Sequence, residues 1–130
     1  MIQATCHCGA VRIEIPAKPE SATSCNCSIC RRLGALWAFF PVEAVVVNAG
    51  YGATQEYAWG KMTRRFVRCA TCGCTTHVFP ASRGPDGEIE VNMRLFDPTE
   101  VGQLRICLFD GATTWKYVGE LPADFYQGDS

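Results

Sequence analysis

The chain has 130 residues, 48% of them hydrophobic and 19% charged, with a formal net charge of −1. That length can bury a sizeable core, so residues 1–130 are expected to form one domain that does not need metal merely because it is small. A near-neutral balance makes a nucleic-acid partner a poor fit, and the most apolar run, residues 35–42, contains Pro41 and is far too short to cross a bilayer.

In chain order, Val11, Ile13 and Ile15 alternate with Arg12 and Glu14, the period of a strand with one buried face, and Pro16 and Pro19 end it. Residues 28–33 are expected to make one or two helical turns, started by Ser28 and stopped by Gly34. Leu36 to Phe40 and Val45 to Val47 read as strands, and Asn48 to Gly52 carries turn chemistry. Gln55 to Trp59 and Thr63 to Arg68 form a strand pair across Gly60. Ile89, Val91, Met93 and Leu95 face one way with Glu88, Glu90, Asn92 and Arg94 opposite, and Leu104, Ile106 and Leu108 repeat the pattern. No stretch holds a helical period, so the expected fold is mainly antiparallel sheet.

Charge is unevenly spread. Residues 1–80 carry eight Lys/Arg and four Asp/Glu, residues 81–130 four and nine. Lys61, Arg64, Arg65 and Arg68 read first as the solvated face of a strand and second as an attractor for an anionic small molecule.

Nine cysteines dominate the chemistry. The opening residues show no basic start followed by an apolar stretch, so the chain is placed in the cytoplasm, where clustered cysteines bind metal more often than they form lasting disulfides. Three clusters stand out: Cys6 and Cys8, then Cys25, Cys27 and Cys30, then Cys69, Cys72 and Cys74. Zinc takes four ligands in a tetrahedron, and Cys6, Cys8, Cys69 and Cys72 can close a four-sulfur structural site. The middle cluster offers three sulfurs and no fourth of its own, the pattern of catalytic zinc with an open position. Closure by Cys74 or His77 is one alternative, and redox or unliganded thiols are another. Ser28 and the amides after Cys27 are candidate donors to these sulfurs. His7 is expected to point away from the metal, His77 to bond within the core, and Cys107 to be a small buried residue. Trp37, Phe39 and Phe40 are expected in the core or in a pocket wall.

The segments CHCGAVRIEI, CNCSICRR, CATCGCTTHVF and EVNMRLFDP, with Trp115 and the closing Leu121-Pro122, resemble the glutathione-dependent formaldehyde-activating enzyme family, which includes the centromere protein V type domains. The resemblance implies a mainly β, Mss4-like (β-tent) fold of antiparallel sheets with one or two short helical turns. It implies two zincs per chain: a structural ion on Cys6, Cys8, Cys69 and Cys72, and a second on Cys25, Cys27 and Cys30, the three residues to which chemistry is assigned. The implied activity is that of a carbon–sulfur lyase making or breaking S-hydroxymethylglutathione from glutathione and formaldehyde. Members commonly carry histidine about nine residues before the late Trp, where this chain has Ile106.

The leading expectation is therefore a zinc-dependent lyase whose partner is a small thiol, glutathione or another, or its aldehyde adduct. A noncatalytic zinc-stabilised binding or chaperone-like domain is the alternative, and a redox or metal-buffer protein a third. Exposed sheet edges leave room for a homodimer. His77, Cys74 and solvent are the candidate proton carriers.

Overall fold

The computed structural model describes residues 1–80, 87–102 and 104–121. Pro122, one of the closing residues of the family resemblance, lies outside them. A small sheet contains β1 (Ile2–Thr5), β2 (Val11–Ile15) and β5 (Val46–Ala49). A large sheet holds β3 (Ser21–Cys25), β4 (Trp37–Pro41), β6 (Thr54–Tyr57), β7 (Arg64–Cys69), β8 (Thr75–Pro80), β9 (Glu88–Asn92), β10 (Arg105–Asp110) and β11 (Lys116–Leu121). Its order is β11-β10-β3-β4-β9-β8-β7-β6. The helices are short: α1 (Ser28–Leu33) and α2 (Pro98–Val101). Among the described residues, no helix is long and apolar enough to cross a membrane.

The mainly antiparallel expectation holds, with one exception: β3 and β10 pair in parallel. About eighty residues separate them, ample chain for the return crossing that parallel pairing needs.

Alternation decides which face is which. Ile13 and Ile15 of β2 pack with Ala22, Ala38, Phe40, Ile89, Val91 and Ile106 of the large sheet, forming the principal core between the two sheets. On the opposite face of the large sheet lie Thr23, Trp37, Phe39, Phe66 and Glu90. Registers keep these residues in rows, Trp37 opposite Thr23 and Phe39 opposite Glu90, so one face is a core and the other is the wall of a cavity. The same rule corrects the expectation for Cys107. It is half-buried, because Ile106 takes the core face and its neighbour must take the other.

Boundaries shift where side chains intervene. The alternation from Ile89 stops at Asn92, whose Oδ1 accepts from the amides of Arg94 (3.1 Å) and Leu36 (3.3 Å) while its Nδ2 donates to the Thr75 carbonyl (2.8 Å). Met93–Leu95 then turn as a 3-10 helix. Helix α1 spans the expected residues, Ser28–Leu33, and its cap is Cys27, whose sulfur accepts from the Cys30 amide. Gly34, at φ 65°, ends it in the left-handed conformation glycine tolerates best. Strands β1, β3, β8 and β11 go beyond the sequence expectation; three contain Thr, Ser or Cys in place of an apolar stripe, and β11 is largely exposed.

Candidate metal centres and active-site cavity

The first centre is built from two matching hairpin turns. After β1, the Cys6 amide donates to the Val11 carbonyl and the Gly9 amide to the Cys6 carbonyl; after β7, the Cys69 amide donates to the Cys74 carbonyl and the Gly73 amide to that of Cys69. Both turns present sulfurs to a common point. Cys6 Sγ lies 3.7 Å from Cys8 Sγ, which lies 3.6 Å from Cys69 Sγ, and all four sulfurs with Cys72 fall within 4.8 Å of one another. A tetrahedron with zinc–sulfur bonds of about 2.3 Å has sulfur–sulfur edges of roughly 3.8 Å, so the donor set fits zinc.

The electrostatics agree. Amides of Cys74 and Cys8 hold the Cys72 thiol down at about 5, and amides of Cys72 and Thr71 lower Cys69. The Ala10 amide pulls Cys8 down, yet its sulfur neighbours and burial win and push it up to about 11. Crowded sulfurs sharing protons so unequally become equivalent when a divalent cation lets all four ionise.

The second centre contains Cys25, Cys27 and Cys30, again within 4.8 Å of one another. Cys25 ends β3, Cys27 caps α1 and Cys30 sits in its first turn. The Cys27 amide donates to Cys25 Sγ (3.5 Å), the Cys30 amide to Cys27 Sγ (3.4 Å) and the buried Trp37 Nε1 to Cys30 Sγ (3.4 Å). Burial raises the Cys25 and Cys30 thiols. At Cys27 burial is outweighed by the Cys30 amide and neighbouring thiols, and its thiol is lowered. The Cys30 amide matches the sequence expectation; the Cys27 amide and the Trp37 indole lie beyond it, and nothing local in sequence joins residues 30 and 37. No Ser28 hydroxyl bond to a sulfur is seen among the described residues.

No fourth His, Cys, Asp or Glu among the described residues joins this trio. Both proposed closures are corrected. Cys74 packs with Cys6, Val11 and Cys69 at the first centre. His77 is buried, with Nδ1 2.8 Å from Thr76 Oγ1 and its ring edge-on to Phe79, the core role expected of it.

The trio opens instead onto a cavity of about 570 Å³. Trp37, Phe39, Trp59, Phe66, Phe109, Trp115 and Tyr117 supply seven aromatic lining residues, and the charged ones are Lys61, Arg64 and Glu90. Phe40 faces the core, so of the three aromatics near Cys30 only Trp37 and Phe39 are wall. Arg64 pairs with Glu90, whose carboxyl is raised by burial and partly brought back by that guanidinium. Arg65 pairs with Glu56 at 3.8 Å and Arg68 donates to Gln55 at 3.1 Å, so the basic cluster splits between the solvated strand face and the cavity. Asn26 locks the far wall: its Nδ2 donates to Asp110 Oδ1 (3.0 Å) and its Oδ1 accepts from the Ala112 amide (3.0 Å). Residues 1–106 match the glutathione-dependent formaldehyde-activating enzyme family.

The chain belongs to that family. A crystal structure of a Rhodobacter sphaeroides protein, a structural-genomics target, is similar to it at 33% identity and a TM-score of 0.64, over 79% of this chain and 97% of that one. The family expectation of a mainly β, Mss4-like fold with two cysteine clusters suited to two zincs per chain is therefore met. The matched span contains all seven cysteines of the two metal centres, whereas Phe109, Gly111, Trp115 and Tyr117 of the cavity wall follow it. Ile106, where members commonly carry histidine, is buried in the core.

Proposed function

We propose that this chain is a carbon–sulfur lyase acting on the S-hydroxymethyl adduct of a small thiol, glutathione or another, with Cys25, Cys27 and Cys30 holding the reactive centre. The observation that carries the reading is the three-sulfur cluster opening onto a cavity large enough for an organic thiol. Zinc bound there supplies positive charge that stabilises a thiolate. The indole of Trp37 and the two amides hold the three cysteine sulfurs in place, and the aromatic walls offer the adduct an apolar surface.

Cleavage breaks the carbon–sulfur bond, the electron pair stays on sulfur, formaldehyde forms, and the hydroxyl proton must go to a base. Glu90 takes that proton in this reading, displacing His77 and Cys74. It is the carboxylate among the described lining residues, and Arg64 keeps it oriented.

The test is NMR exchange of formaldehyde with thiols, using protein whose zinc has been counted. Acceleration that disappears in Cys27→Ala is the expected result; full turnover in a folded Cys27→Ala protein would falsify the assignment. Glu90→Gln should keep both zincs and lose turnover. Because burial raises Glu90, the wild-type rate should fall on the acid side above the ordinary value of 4.5, and that limb should be absent from any residual Glu90→Gln activity.

A further inference from the structure

The walls around the second cysteine centre are poorly matched to a tripeptide. Glutathione brings two carboxylates and an ammonium group. Against these the described lining offers Lys61, with no ion pair among the described residues, and an Arg64–Glu90 pair already engaged with itself. A zwitterion inserted here would leave charges against aromatic carbon, at a desolvation cost.

The aromatic wall is held rigid. Phe109 stands edge-to-face with both Trp115 (centroids 5.1 Å apart) and Tyr117 (5.0 Å). Tyr117 Oη is fixed 2.9 Å from Thr23 Oγ1. Trp115 has φ 59°, a left-handed conformation that bulky side chains rarely adopt. It is held there by its backbone N–H, which donates to the Asp110 carbonyl (2.7 Å), while Asp110 Oδ2 accepts from the Thr114 amide and hydroxyl. A strained backbone presenting a 65% exposed indole to a cavity is a feature that folding alone does not require. Trp59 reaches the same cavity from the β6–β7 turn and is 47% exposed.

We propose that the thiol taken by this site carries a flat aromatic body and a single anionic group. Its ring lies against Trp115 and Phe109, its anion is met by Lys61, and its sulfur reaches the Cys25, Cys27 and Cys30 centre. This rests on the carbon–sulfur reading of the same site and narrows its substrate class. Trp115 is the specificity-determining residue, since it is the most exposed of the aromatic wall and the one whose backbone is strained into place.

The experiment compares three thiols on full-length, zinc-counted protein: 2-sulfanyl-3-phenylpropanoate, 2-sulfanylpropanoate and glutathione. The first two share the thiol and carboxylate and differ in the ring. Titration calorimetry gives affinity, and formaldehyde exchange by NMR is run on each. The phenyl compound should bind about tenfold or more tightly than either other thiol, the value expected for burying a ring. Trp115→Ala should reduce that preference to about threefold or less, with Trp115→Phe retaining most of it. Lys61→Met should weaken both sulfanylpropanoates alike. Equal affinities, tighter glutathione binding, or a preference unchanged in Trp115→Ala would overturn the proposal. Exchange accelerated for glutathione over the phenyl thiol would overturn it and leave the lyase reading standing. Tight phenyl-thiol binding without accelerated exchange would support the aromatic class and remove the lyase reading.

Discussion

Individual atoms hold the second centre in shape. A Cβ built on Gly111 would stand 2.7 Å from Cys25 Sγ and 3.3 Å from Cys27 Cβ, a clash that neither short side chain can swing away from. Gly111→Ala should therefore displace the sulfur rather than the fold. Zinc counted by mass spectrometry should fall from two per chain towards one, with the far-ultraviolet circular dichroism unchanged. Retention of two zincs would mean that the turn yields instead. Trp37→Phe keeps the buried ring but removes the donor to Cys30 Sγ. Loss of a hydrogen bond to a charged sulfur should cost about 1.5–3 kcal/mol in denaturant unfolding of the zinc-loaded protein.

At the scale of elements, the protein is clamped by turns. The β1–β2 and β7–β8 hairpins lie in different sheets, and their turns meet at the four-sulfur centre. Metal binding there ties the small sheet to the large one, so its free energy is folding free energy. Cys69→Ala should lower the melting temperature far more than Cys27→Ala, whose centre lies within the large sheet and α1. The β10–β11 turn has its own tie through Asn26 and Asp110. The Asn26 amide, then Thr114, holds the Asp110 carboxyl below its ordinary 3.8. A depressed acid contributes stability above its unfolded value and loses it as pH falls through the folded one. The difference in melting temperature between wild type and Asp110→Asn should therefore hold constant above about pH 5 and narrow as the pH falls through and below the ordinary 3.8.

The whole molecule has one sheet with two different faces and two centres of different closure. Four sulfurs fill the coordination of the first; three leave the second open to a cavity. A chelator should remove zinc in two phases. The first equivalent should leave quickly with secondary structure intact, and the second slowly, together with unfolding. A single phase coupled to unfolding would place both ions in closed sites.

Much of this arrangement could be read along the chain. Period-two alternation at Val11–Ile15 and Ile89–Val91 identifies buried strand faces, because side-chain direction is a local property of extended backbone. The spacing of Cys6, Cys8, Cys69 and Cys72 identifies the closed centre, because close pairs with glycine just after them make metal-presenting turns. Tertiary structure decided the rest. Which sulfurs Cys74 joins, that Trp37 donates to Cys30, that Glu90 shares a cavity with them and that Gly111 makes room for Cys25 all depend on strand order. Strand order arises from packing between segments far apart in sequence, which no local pattern encodes.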